Sequence, residues 1–267
     1  PPWSDRWPAL RAVPWFPAVG DGAASNVGSD CVEPARVALN VGTSAALRIV
    51  TRATAPPPRG LWRYRLDRGA SLVGGALSEG GNAHAWCRKV LRLDDDAAVE
   101  SALAQRADDH GLTVLPFFAG ERAPGWRGDR RALLAGLGLD TTAEDIARAV
   151  LESIALRLAL VYGLLVPCAT ADHVLVGSGG ALVASPGWAQ LIADALDRPL
   201  LVSREAEATS RGVALLALDA LGLRPLGTPT PVPSGTTFLP DPVAHARSRA
   251  ALRRQLALDP LTSVAEL

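Results

Sequence analysis

Two short stretches carry the residue types that could do chemistry. The first is Gly20-Asp21-Gly22, an acid closing an extended run that begins at Trp15, with a glycine on each side. Neither glycine has a Cβ, so the backbone can turn sharply there and a ligand can approach closely. The second is Gly42-Thr43-Ser44, which interrupts two apolar runs, Val37 to Val41 and Ala45 to Val50. That pattern predicts a β-hairpin with a small hydroxyl-bearing tip. Such a tip can turn backbone N–H groups and two hydroxyls toward an anion. An acid at a strand end beside a phosphate-sized nest points to phosphoryl transfer. Gly-Asp-Gly is also an ordinary turn and Gly-Thr-Ser an ordinary hairpin tip, so neither stretch decides the matter by itself.

The elements that must position these stretches follow from periodicity. Leu61 to Leu66 alternates as a strand and Ser71 to Leu77 forms another, so the hairpin belongs to a set of three or four consecutive antiparallel strands. Ser78-Glu-Gly-Gly-Asn82 then leads into a helix with Ala83, Trp86, Cys87, Val90 and Leu91 on one face, and a second helix covers about Asp94 to Ala107. A buried strand is expected over Leu112 to Phe117. The loop after it, Ala119 to Trp126, concentrates Glu121 and Arg122, with Arg127 just beyond, as a candidate docking surface. Thr142 followed by Asp145 is a capping-box signature, and Ile146, Val150, Ile154, Val161 and Leu164 form an apolar stripe to Val166. Then come a strand over Asp172 to Val176, a glycine turn over Gly177 to Gly180 and a helix opening at Ser185-Pro186. A strand over Pro199 to Val202 and a helix over Thr209 to Leu221 follow. A Pro/Gly/Thr-rich loop and a charged helix over Pro242 to Leu256 complete the order. The expected fold is a mixed α/β sheet, antiparallel at its start and parallel later, flanked by helices. In such a sheet the strand–glycine–helix unit holding Gly179 and Gly180 sits where ligand meets the strands' carboxyl ends.

Bulk properties narrow the class. The 267 residues carry 27 basic and 27 acidic side chains, so net charge gives no case for nucleic acid or an anionic membrane. No run of about eighteen apolar residues marks a membrane span. Cys31, Cys87 and Cys168 are odd in number and widely spaced, which fits a reducing cytosol rather than a disulfide framework or zinc site. His84, His110, His173 and His245 are not spaced as a metal-ligand set, so no protein-bound metal is expected. The chain has no methionine and opens on Pro-Pro-Trp, which implies a piece of a longer protein or an incomplete gene. Residues 1–16, rich in tryptophan and proline, read as a connector, 17–259 as one domain and 260–267 as a loose tail.

The succession resembles the C-terminal domain of the FGGY family of carbohydrate kinases. Four stretches carry the likeness: Gly20 to Gly28; Asn40 to Ser44; Ala132 to Leu137 with Asp145 to Glu152; and Gly177 to Ala181 with Arg211 to Ala217. Leu61 to Asn82 and Leu115 to Trp126 are most similar to gluconokinases within that family. Kinases for xylulose, ribulose or glycerol share the domain.

The resemblance implies an actin-like, ribonuclease-H-like α/β fold. It also implies a cytoplasmic enzyme using ATP and Mg²⁺ to phosphorylate a sugar or sugar acid. Asp21 then acts as general base on the acceptor hydroxyl, with Gly20 and Gly22 beside the substrate. Gly42, Thr43 and Ser44 hold the ATP phosphates, Gly81 lines the nucleotide cleft, and Gly179, Gly180 and Ala181 form the turn under the adenosine and α-phosphate. Family members have a second, N-terminal domain with a further phosphate loop and most of the sugar pocket, and this chain has no replacement for it. The chain alone is therefore expected to fold and bind adenine nucleotide weakly, yet turn over poorly or not at all. A non-catalytic nucleotide-binding remnant and a scaffold docking through its tryptophan-rich start are the rival readings.

Overall fold

The computed structural model describes residues 2–93, 95–205, 207–228 and 235–262. Its centre is a seven-stranded sheet in the order β3-β4-β2-β1-β7-β8-β9. These strands are β1 (Arg36–Val41), β2 (Ala45–Thr51), β3 (Trp62–Arg65), β4 (Ser71–Leu77), β7 (Val174–Ser178), β8 (Leu200–Val202) and β9 (Thr236–Phe238). The first four pair antiparallel, β1–β7 and β7–β8 pair parallel, and β9 returns antiparallel on the far edge. β5 (Thr113–Leu115) and β6 (Leu133–Ala135) form a separate two-stranded ribbon. The antiparallel start and parallel continuation match the sequence expectation. β6 and β9, three residues each, lie in stretches without visible alternation.

The two faces of the sheet follow from the side-chain period of two along a strand. On β2, Ala45, Leu47 and Ile49 face the core and are almost fully buried. The longest helix, α5 (Ala143–Leu165), covers that face. Its Val161 Cγ1 would lie 2.7 Å from a Cβ on Gly75, the residue opposite Leu47. Thr142 and Asp145 form the capping box read from the sequence: Thr142 Oγ1 accepts from the Asp145 N–H at 3.1 Å, and the Thr142 N–H donates to Asp145 at 3.0 Å. The segment Ala143–Cys168 is long and apolar enough to cross a membrane, contrary to the expectation from residue runs. Two-thirds of its most apolar window is buried inside the protein.

Three more helices share this side of the molecule: α3 (Gly81–Leu91), α4 (Asp96–Leu103) and α7 (Pro186–Leu196), with α9 (Pro242–Leu258) packed outside α7. Trp188 of α7 is fully buried and donates its indole N–H to Leu151 O at 3.1 Å. On α3, Ala83 and Cys87 are buried as expected, whereas Val90 is exposed because the helix presents only a narrow stripe to α5.

On the opposite face, α2 (Asp21–Gly28) and α8 (Ala208–Ala220) cross in the closest helix contact of the molecule. A Cβ on Gly28 would lie 1.7 Å from Ala208 O, and one on Gly212 would lie 1.8 Å from Ala24 O. Only glycines allow that spacing. The guanidinium of Arg211 donates to Gly28 O across the same crossing.

Several segments differ from the sequence expectation. Asp21 does not close a strand; residues 12–20 have no regular structure, and Asp21 is the first residue of α2, with Gly20 as N-cap. Pro2–Arg6 forms a short helix, α1, and Pro8–Leu10 a 3-10 turn within the stretch read as irregular. Gly177 and Ser178 complete β7, so the glycine turn narrows to Gly179 before a one-turn helix, α6 (Gly180–Ala184). Of the tail, Asp259–Thr262 forms a 3-10 turn, and 263–267 lies outside the described residues. The 119–130 loop is pinned to the fold. Glu121 is buried against Arg157 of α5, while Arg130 and Arg157 each donate to Asp259, at 2.8 and 3.1 Å.

Candidate active site

The hairpin tip between β1 and β2 is held from three directions. Gly42 N donates to Ser44 O at 3.0 Å, closing the turn. The start of α3 ties onto it, with Gly81 N donating to Gly42 O at 2.7 Å and Asn82 N to Thr43 O at 3.2 Å. Beneath the tip, Asn40 Nδ2 donates to Ser178 Oγ at 3.1 Å, joining the ends of β1 and β7. The glycines make this packing possible. A Cβ on Gly80 would lie 2.7 Å from Ser44 C, one on Gly81 2.9 Å from Gly42 O, and one on Gly179 2.3 Å from Val41 O. Gly179 also has φ +105°, which disfavours any L side chain.

The tip separates two hollows. The first, about 510 Å³, lies beyond the carboxyl ends of the parallel strands β1 and β7. It is bounded by Gly42, Thr43, Gly81, Gly180 and Ala181 on one side, with Ala184 and Trp188 beyond them. Cβ atoms at Gly180 and Gly42 would meet open space or only Asn40 Oδ1 at 3.9 Å, so glycine backbone is presented directly to the cavity. A glycine-floored hollow of this kind fits a nucleotide and its phosphates. Its acidic rim includes Asp96 and Glu100. Glu100 is committed to the start of α7, where it accepts from Ser185 Oγ and, at 2.9 Å, from Gly187 N.

The second hollow, about 560 Å³, lies on the α2 face of the sheet. Gly20, Asp21 and Gly22 line it with Ser44, Ala46 and Arg48. Asp21 is exposed to this space, and its Oδ1 accepts the Gly22 N–H at 2.7 Å. Asp21 and Thr43, which the sequence reading set together as an acid beside the phosphate nest, line different hollows instead of one cleft. Adjacent residues of one tip line different hollows, Thr43 the first and Ser44 the second. Of the residues singled out by sequence, five line the first hollow and four the second. Gly179 lines neither and instead makes the turn beneath them.

Several lining residues lacked a sequence signal. Asn82, His84 and Trp188 looked like helix residues, and Trp62 and Tyr64 like ordinary strand residues. Arg48 had one available clue, as the sole charge in the strand Ala-Ala-Leu-Arg-Ile-Val-Thr. Burial pushes its guanidinium below the usual pKa, the Asp21 carboxylate opposes that shift, and Arg122 reinforces it.

Glu79, immediately before the glycine pair, is buried and accepts the Ala119 N–H at 3.0 Å. Desolvation raises its pKa to about 7, against backbone hydrogen bonds and Arg157 that pull it down.

A separate group, Asp108, His110 and Glu152, brings three possible metal-ligand atoms within 4.8 Å of one another, although sequence spacing gave no such set. Their donor atoms are already engaged. Leu112 N donates to His110 Nδ1 at 3.0 Å, which leaves Nε2–H to donate to Glu152 at 2.9 Å. Arg148 Nε binds Glu152 at 2.8 Å, and Arg254 pairs with Asp108. This is a structural ion network, not a vacant ligand set.

Comparison with known proteins identifies the family and the fold. Residues 37–221 match the model described as "FGGY family of carbohydrate kinases, C-terminal domain". A gluconokinase of Bacillus subtilis (strain 168) is 27% identical over 223 residues, covering 79% of this chain and 44% of the relative. A glycerol kinase of Chelativorans sp. (strain BNC1) is 31% identical over 221 residues, covering 80% and 44%. Among solved structures, gluconate kinase from Lactobacillus acidophilus superposes with a TM-score of 0.81 at 27% identity, covering 91% of this chain and 51% of that one. A ligand-bound xylulose kinase from the same organism gives a TM-score of 0.82 at 27% identity, covering 90% and 50%. The chain thus spans less than half the length of these curated relatives.

Proposed function

Because the chain belongs to the FGGY family of carbohydrate kinases and has its actin-like, ribonuclease-H-like fold, we propose that it is the nucleotide-binding half of an ATP-dependent kinase acting on a sugar or sugar acid. The observation that carries this reading is the division of space at one hairpin tip. A glycine-floored hollow lies on one side and an acid-bearing hollow on the other, with Thr43 and Ser44 between them. In-line phosphoryl transfer needs the acceptor oxygen in direct contact with the γ-phosphorus, so the two ligands would have to meet where the hollows adjoin at the tip.

In the proposed reaction the first hollow takes ATP. The backbone at Gly42, Gly81, Gly180 and Ala181 borders the nucleotide, and the tip hydroxyls of Thr43 and Ser44 approach the terminal phosphates. When bound with the nucleotide, Mg²⁺ would offset phosphate charge. Asp21 accepts the proton of the acceptor hydroxyl as that oxygen attacks the γ-phosphorus, while the bond from that phosphorus to the β–γ bridging oxygen breaks and ADP leaves. Proton acceptance by a positioned carboxylate contributes roughly 10²–10⁴-fold in rate. Placing Asp21 at the first turn of α2 also puts its negative charge at the favourable end of the helix dipole.

The acceptor assigned is gluconate, giving 6-phosphogluconate, on the strength of the Bacillus gluconokinase and the Lactobacillus gluconate kinase. The 31% identity to glycerol kinases supports a neutral polyol as second reading. Because the relatives extend well beyond the matched half, the chain alone is expected to bind nucleotide weakly and to turn over slowly if at all. Calorimetric titration with ATP, followed by ADP release with gluconate, xylulose and glycerol as acceptors, tests these points together. ATP binding with gluconate favoured supports the assignment. No ATP binding contradicts the nucleotide site, and brisk turnover by the isolated chain contradicts its dependence on further residues.

A further inference from the structure

The second hollow has a charge pattern that proton acceptance by Asp21 does not explain. Its lining includes three guanidinium groups, Arg48, Arg65 and Arg122, against one carboxylate, Asp21. The arginines buried elsewhere are paired: Arg148 with Glu152, and Arg157 with Glu121. Among the described residues, no carboxylate lies within the 4.0 Å ion-pair distance of Arg48, Arg65 or Arg122. Arg65 and Arg122 reach solvent, whereas Arg48 is half-buried; a half-buried guanidinium without a hydrogen-bonded partner is costly, and an anion supplied from outside would relieve that cost.

The sheet explains why Arg48 is available. The alternation that sends Leu47 and Ile49 into the core sends Ala46 and Arg48 to the other face. Opposite them on β4 are Ala76 and Gly74, and the Trp62 ring lies over Gly74, where a Cβ would meet it at 2.9 Å. Gly22 completes the opening, since a Cβ there would lie 3.0 Å from the Arg48 guanidinium. One wall is apolar: Trp62 and Tyr64 stack with ring centroids 4.4 Å apart and planes 21° apart. The hollow therefore combines an acid, three guanidinium groups and an aromatic wall in a volume large enough for a six-carbon chain.

We infer that Arg48 and Arg122 bind a carboxylate on the acceptor, making this hollow selective for a sugar acid over the neutral polyol of equal length. The inference rests on the kinase reading of the same hollow and adds the residues that set its specificity. The reacting hydroxyl sits at Asp21, the acid group at Arg48 and Arg122, and the carbon chain along Trp62 and Tyr64. Guanidinium groups suit this role because their paired N–H donors match both carboxylate oxygens.

The test is a binding comparison that does not require turnover. Gluconate and glucitol, which differ in the carboxylate, are titrated into the protein and followed by saturation-transfer NMR at low ionic strength. Gluconate is expected to bind at least about tenfold more tightly, as one charge-assisted contact implies. Arg48→Gln and Arg122→Gln should each shrink that gap while leaving glucitol binding unchanged. Arg122 is exposed, so its variant tests the inference even if Arg48→Gln misfolds. Equal affinity for the two probes, no gluconate binding, or a gap that persists in both folded variants overturns the inference. Failure of the kinase reading looks different: gluconate would still be preferred over glucitol, but ATP would not bind the protein. Conversely, equal phosphorylation of gluconate and glucitol would leave the kinase reading standing and remove the carboxylate site.

Discussion

Replacing Gly212 by alanine sets two effects of opposite sign against each other. In an isolated helix, alanine in place of glycine stabilises by about 1 kcal/mol. In this molecule Gly212 lies where α8 crosses α2, and a new Cβ would stand 1.8 Å from Ala24 O and 2.9 Å from Gly28 N. Those atoms belong to the α2 backbone, so no rotamer change can move them aside. Relief requires the two helices to separate until that contact exceeds 3.4 Å, opening the mutual approach of Gly28 to Ala208 as well. Overpacking of this kind costs about 1–3 kcal/mol, and sometimes more. Packing is expected to exceed propensity, giving net destabilisation of about 1–2 kcal/mol by urea unfolding. Because α2 begins at Asp21, the displacement should also lower turnover while ATP affinity stays near the native value. Gly28→Ala is expected to behave alike. An unchanged or raised unfolding free energy for Gly212→Ala would refute the reasoning, since it would mean the helices are not interlocked as described.

Two further outcomes follow from the site. Between pH 4.5 and about 7 the folded chain keeps the Glu79 proton that the unfolded chain releases, so this group's contribution to stability falls as pH rises through that window. Above pH 7 the accumulated loss is on the order of 3 kcal/mol. Glu79→Gln, which retains an oxygen to accept from Ala119 N, should flatten the dependence and gain on the native protein from pH 5 to pH 8 in urea titrations; a constant difference would count against it. Gly180→Val should leave stability within about 0.5 kcal/mol yet lower ATP affinity tenfold or more by calorimetry, because a Cβ there meets no protein atom within 4 Å and the residue lines the first hollow. Gly179→Ala should instead destabilise by roughly 1–3 kcal/mol, through its φ of +105° and the contact with Val41 O.

Much of the framework was legible because local rules and tertiary structure agree there. The capping box at Thr142 and Asp145, the stripe on α5 and the β1–β2 hairpin all read correctly from spacing. Asp21 was found, but as the end of an extended run, because Gly-Asp-Gly specifies a turn equally well before a helix. Its helix, eight residues of mostly small side chains, has no strong apolar period and is held by α8, which lies nearly two hundred residues away in sequence. β9 gave no signal because its three residues are held mainly by pairing with β8. The division of the Gly42-Thr43-Ser44 tip between two hollows could not be read locally. Which hollow each residue lines depends on the approach of Gly80 and Gly81 to the tip, a contact between stretches far apart in the chain. Arg48 shows the same limit: that its face borders the second hollow depends on Gly22, which approaches its guanidinium from another element.

The measurement that tests the account most directly is the effect of Asp21→Asn on ATP-dependent gluconate phosphorylation, made in the full-length protein with ATP affinity measured alongside. The substitution keeps size and shape and removes the carboxylate that faces the second hollow. A fall in kcat of roughly 10²–10⁴-fold with unchanged ATP affinity is predicted, since the acid and the nucleotide occupy opposite sides of the hairpin tip. Retained turnover would contradict the role of Asp21, and a parallel loss of ATP binding would contradict the separation of the two hollows.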